Sequence, residues 1–70
     1  MGLFLKIVVN GDNKEFSDNT TLEELIQQLG VRKETVVAEV NRRIVQLEKR
    51  PGLKLSDGDQ VELIQFVGGG

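Results

Sequence analysis

Three consecutive glycines, Gly68, Gly69 and Gly70, close this chain of 70 residues. The chemistry open to such an ending is that of its carboxylate. A terminal carboxylate is a poor acyl donor until it becomes a mixed anhydride, for example with AMP, and for that it must reach into a partner's nucleotide site. Glycines have no Cβ, so they thread a narrow channel, adopt φ values closed to other residues and leave the acyl carbon open to attack. Ahead of them, Val61 to Val67 reads as a strong strand. A frayed end or a fusion scar would also be glycine-rich. The lack of a spacer before the glycines and of tag residues after them favours the chemical reading.

Few other residues compete for a chemical role. The chain has no His and no Cys, which removes the commonest general base, the commonest thiol nucleophile and the ligands of a structural zinc site. Asp57 and Asp59 flank Gly58, but one acidic turn brings too few groups together for a metal site or a catalytic pair, and it reads as a turn with solvated carboxylates. The basic pairs Arg32-Lys33, Arg42-Arg43 and Lys49-Arg50 read as solvated loop charges. With a net charge of −2 and no Tyr or Trp to stack on bases, nucleic acid is not an expected partner. No apolar run is long enough to cross a bilayer, and the N-terminus lacks the basic lead and cleavage site of a signal peptide. The absence of Cys fits a reducing cytoplasm, and an enzyme is not expected.

The elements that must position the tail follow from pattern. Leu3 to Val9, interrupted only by Lys6, reads as a central strand. Asn10-Gly11 is a strong hairpin signal and leads to a shorter strand around Lys14 to Phe16, with Asp12-Asn13 allowing a longer or bulged turn. Thr20 and Glu23 form a capping-box pair. Beyond it Leu22, Leu25, Ile26 and Leu29 share one helical face, opposite Glu24, Gln27 and Gln28, and Gly30 stands at the C-cap. Arg32 to Thr35 and Glu48 to Gly52 read as loops. Val36 to Val40, with Val36, Ala38 and Val40 on one side, and Ile44 to Leu47 read as strands about an Asn41-Arg42-Arg43 turn. Leu53 and Leu55 point to the core, and Asp57-Gly58-Asp59 turns the chain into the last strand. The expectation is an α+β fold of β-grasp type. One mixed sheet of about five strands, in the order β-β-α-β-β-β, carries one main helix across one face. The first and last strands lie parallel at its centre. Residues 1–67 form the domain and 68–70 a flexible tail.

Alternation places a docking face. In the last strand Val61 and Leu63 point one way, Glu62, Ile64 and Phe66 the other, and the charge marks the outer side. Gln65 falls on the nominally inward face. In the first strand Lys6 marks the outer side with Phe4 and Val8, leaving Leu3, Leu5 and Ile7 inward. If the strands are neighbours, Phe4, Ile64 and Phe66, with Val67, form one apolar patch near the tail, of the kind that marks a partner site.

Taken in order, the opening strand with Asn10-Gly11, Thr21-Leu22-Glu23-Glu24-Leu25, Val37-Ala38-Glu39-Val40-Asn41 with Ile44-Val45, Asp57-Gly58-Asp59, Phe66-Val67 and Gly69-Gly70 resemble the ThiS family of sulfur carriers in thiamine biosynthesis. These are ubiquitin-like relatives of the molybdopterin-synthase small subunit. The resemblance spans essentially the whole chain, with Gly68 as an additional glycine. It implies that an adenylating enzyme related to ubiquitin-activating enzymes (ThiF-type) uses ATP and Mg²⁺ to make an acyl-adenylate on Gly70. A persulfide sulfur donor would then convert this to a thiocarboxylate, which supplies a thiazole synthase (ThiG-type). Gly69 and Gly68 would give access. A molybdopterin-type carrier, a ubiquitin-like modifier and a non-covalent β-grasp binding module are the alternatives.

Overall fold

A computed structural model describes residues 3–66. Strand β1 (Phe4–Val9) turns through Asn10-Gly11 into β2 (Asp12–Ser17). Both turn residues have positive φ, +49° and +86°, the geometry whose twist matches that of the flanking strands. The turn is the two-residue form, so Asp12 already pairs with Val9 and the second strand is longer than expected.

Helix α1 (Leu22–Gln28) follows. Its capping box is one residue later than the sequence suggests. Thr21 Oγ1 accepts from the Glu24 amide at 3.2 Å, and Glu24 Oε1 accepts from the Thr21 amide at 2.9 Å. Both Thr20 and Thr21 have an acid three residues on. Thr20 is lost to the cap because it is drawn inside, where its hydroxyl donates to the Ser17 carbonyl at 2.6 Å. Gly30, at φ +74°, ends the helix in a Schellman arrangement: its amide donates to Gln27 O and the Val31 amide to Ile26 O.

A 3₁₀ turn over Lys33–Thr35 leads into β3 (Val36–Val40), then a two-residue turn and the short β4 (Arg43–Ile44). The expected strand to Leu47 is cut short because Leu47–Gly52 coils into a second 3₁₀ segment. Leu53 to Leu55 runs beside the helix entry, with the Leu22 amide donating to Leu53 O and the Leu55 amide to Thr20 O. Strand β5 (Gln60–Gln65) completes a sheet ordered β2-β1-β5-β3-β4. β1 and β5 are parallel and all other pairs antiparallel, as expected for a β-grasp.

The core lies between the sheet and the helix. Ile7, Leu22, Leu25, Ile26 and Val61 are its largest fully buried side chains, joined by Leu5, Val9, Phe16, Val36, Ala38 and Leu55. Leu3, expected inward, is exposed. It precedes β1, where its carbonyl accepts from the Asp18 amide. Arg50, read as a solvated loop charge, is buried.

Asp57 and Asp59 are structural. Asp57 Oδ1 accepts from the Lys6 amide, Asp59 Oδ2 from the Ser56 amide, and Asp59 Oδ1 from the Asn41 side chain. This turn ties the entry of β5 to both β1 and β3. Among the described residues no helix is long and apolar enough to cross a membrane.

Candidate functional site

The site to be built is the root of the C-terminal tail. Val67, Gly68, Gly69 and Gly70 lie outside the described residues, so the site is defined by the strand that leads to them. Along β5 the side chains alternate as the sequence indicates. Val61 is buried and Leu63 half-buried on the helix side, whereas Ile64 and Phe66 are 53% and 64% exposed on the other. Gln65 stands opposite Val36 and is exposed.

The neighbours of Ile64 and Phe66 come from β3 and not from β1. Ile64 pairs with Val37, and the Phe66 amide donates to the Thr35 carbonyl at 2.8 Å. Val37 therefore joins the apolar face, one strand over, and was legible as the residue between inward Val36 and Ala38. Next along the same face, Glu39 and Glu62 stand directly opposite each other, and Ile44, 63% exposed, pairs with Glu39. Like charges directly opposed across strands disfavour pairing, so this acidic step costs the sheet stability beside the apolar patch.

Phe4 does not belong to this patch. It is exposed and on the same face, but the parallel register joins Val8 to Gln60 and Val9 to Val61. Phe4 thus lies four residues below that junction and Ile64 four above, a separation of roughly 26 Å at the usual rise per strand residue. Being neighbouring strands was not enough; β1 and β5 overlap only at their ends.

The upper part of β5 consequently runs past β1. The Asn10 side chain fills the gap. Leu63 N donates to Asn10 Oδ1 at 2.8 Å, and Asn10 Nδ2 donates to Leu63 O at 3.3 Å. The hairpin residue recognised in the sequence thus has a second task 53 residues away, which no local pattern discloses.

Among the described residues no group of three His, Cys, Asp or Glu could hold a metal ion. Among the described residues the arrangement offers no constellation of acid, base and nucleophile. What it offers is an exposed apolar patch on a paired strand whose sequence continues into glycines.

Known proteins resemble this chain along most of its length. The model of the ThiS family matches residues 7–70. A thiazole synthase of Paramagnetospirillum magneticum is 38% identical over 66 residues, covering 94% of this chain. The chain spans only 20% of that longer relative. The sulfur carrier protein ThiS of Bacillus subtilis is 33% identical over 63 residues, covering 89% of this chain and 96% of the relative. The crystal structure of a thiamine biosynthesis protein (ThiS) from Geobacter metallireducens superposes with a TM-score of 0.75. It is 31% identical and covers 94% of this chain and 100% of its own.

Proposed function

The chain belongs to the ThiS family, and from that membership we propose that it carries sulfur on its own C-terminal carboxylate for the thiazole ring of thiamine. It acts as carrier and substrate, not as catalyst. A Gly70 carboxylate oxygen attacks the α-phosphorus of ATP, with Mg²⁺, in the site of an adenylating enzyme; pyrophosphate leaves and an acyl-adenylate remains. The terminal sulfur of a partner's persulfide displaces AMP to give an acyl disulfide. A second thiol then attacks its S–S bond, forming a disulfide with the donor and releasing the thiocarboxylate, which is the sulfur donor. Gly69 and Gly68 give the slim approach, since a Cβ at either position would narrow the channel.

The observation that carries this reading is β5: a strand anchored by buried Val61, exposing Ile64 and Phe66, whose sequence continues into Val67-Gly68-Gly69-Gly70. Ile64 and Phe66, with Val37, are the surface offered to the adenylating enzyme, and Val67 follows them in sequence. Phe4 is left out of it. Partners of ThiF and ThiG type go with the family. For this chain a thiazole synthase as acceptor is supported by the longer P. magneticum relative, which bears that name and contains a segment similar to this chain. A cytoplasmic setting accompanies the proposal.

The test is the intact mass of the chain after incubation with its adenylating enzyme, ATP and a persulfide donor. Exchange of one oxygen for sulfur, localised to the C-terminal peptide and absent from a chain lacking Gly69 and Gly70, is expected. An isopeptide bond to lysine, or an unchanged mass alongside full ATP turnover, overturns the assignment.

A further inference from the structure

Arg50 is the sole buried charged residue among those described, at 5% exposure. None of the described carboxylates forms an ion pair with it; the salt bridge found joins Lys33 and Glu23. Its guanidinium instead donates to three backbone carbonyls: Val36 O from Nη2 at 2.8 Å, Lys33 O from Nη1 at 2.9 Å and Val45 O from Nε at 3.3 Å.

The location of those carbonyls explains the choice. On the β4 side of β3, Ala38 O accepts from the Val45 amide. The chain then turns away into the 3₁₀ segment Leu47–Gly52, so no β4 residue continues the pairing. The next carbonyl along that edge is Val36 O, buried, and Arg50 takes the place of the missing strand. Between two of the three carbonyls it holds, Lys33 O and Val36 O, lies Thr35. The Thr35 carbonyl accepts from Phe66, the last described backbone bond before the tail.

Burying a charge without a counter-ion is expensive, and a well-packed apolar side chain of similar volume is often as stable. A planar fork of five donors, in contrast, can reach several fixed carbonyls at once, whereas a lysine offers three donors from a single nitrogen. We propose that Arg50 is a positioning residue for C-terminal activation: by clamping residues 33–36 it fixes Thr35 O, and through it the direction in which the chain leaves Phe66. This inference rests on the carrier reading above, because only a tail that must enter another protein's site needs a fixed exit. Displacement of a reacting group by about 1 Å can cost up to about a hundredfold in rate, so a loosened exit is felt in the chemical step more than in docking.

The experiment compares wild type with Arg50→Lys and Arg50→Met, at a temperature where each is fully folded by circular dichroism. Amide hydrogen exchange is read at Ile64 and Phe66 against Ile7 and Val61, and acyl-adenylate formation is read as kcat and KM with the adenylating enzyme. The Met variant is expected to exchange faster at Phe66 than wild type while Ile7 and Val61 are unchanged. Its kcat should fall roughly tenfold or more with KM nearly constant, and the Lys variant should recover part of both. Unchanged Phe66 exchange, exchange raised equally at all four amides, or unchanged kcat in either folded variant overturns the proposal. If Met fails to fold, the same readouts on Lys decide. A wild-type chain that is never adenylated refutes the carrier reading and leaves the exchange result to judge the clamp alone.

Discussion

Replacing Asn10 tests how the root of the tail is held on its β1 side. Asn10→Ala removes two hydrogen bonds to Leu63 at a solvent-exposed position. There each contributes at the low end of the usual range, about 0.5 kcal/mol. Alanine must also adopt the φ of +49°, which costs an L-residue without a local polar group about 1 kcal/mol. The expected loss is about 2 kcal/mol. Asn10→Gly loses the same bonds and escapes the φ penalty, but adds a smaller entropic cost in the unfolded chain, so about 1.5 kcal/mol is expected. Asn10→Asp keeps the acceptor for the Leu63 amide but turns the longer bond into a contact between a carboxylate oxygen and the Leu63 carbonyl, so about 1 kcal/mol is expected. For a domain of this size each kcal/mol moves the melting temperature by roughly 4–8 °C. The chain has no Trp or Tyr, so the assay is far-ultraviolet circular dichroism. The order Ala, Gly, Asp from most to least damaging is the signature. Alanine no worse than glycine, or aspartate as harmful as alanine, would refute the account of Asn10 as a stand-in for a missing strand residue.

Phe66→Asp, at a 64% exposed position, should change folding stability by no more than about 0.5 kcal/mol while raising KM for adenylation tenfold or more, as loss of a docking anchor does; a folded variant with unchanged kinetics removes the patch from the proposal. Phe4→Asp, at the far end of the sheet, should leave those kinetics alone. Thr21→Ala should cost about 1 kcal/mol through the lost cap, measured by urea titration, and a neutral result would mean the helix start is set elsewhere. Arg42→Gly should stabilise the domain by up to about 1 kcal/mol, because Arg42 sits at φ +71° in a turn that favours glycine; a lower melting temperature would contradict this.

The features legible in the sequence are those whose cause is local. Asn10-Gly11 announces its hairpin because few residues tolerate two positive φ values in succession. Ile64 and Phe66 declare their face because Glu62 shares it. Leu22, Leu25 and Ile26 name the buried side of the helix. The misplaced features depend on tertiary register. Thr20 and Thr21 offer equivalent capping boxes, and only burial of the first decides between them. Phe4 falls into the tail patch on sequence grounds because alternation discloses strand adjacency and not strand offset; the offset is set by the Asp57-Gly58-Asp59 turn holding Lys6 and by Asn10 holding Leu63. Arg50 lies between Lys49 and Pro51, where a solvated charge is the ordinary expectation. The three carbonyls that bury it come from residues 5 to 17 positions away.

The parallel junction of β1 with β5 also bears on synthesis. The centre of the sheet needs both the first and the last strand of the domain, and Val61 supplies a fully buried side chain from the latter. Contacts of such long sequence separation form late and close large loops. On the ribosome, β1 and β3 have no shared neighbour until β5 has emerged, so nascent chains that stall before it remain incomplete and open to proteolysis.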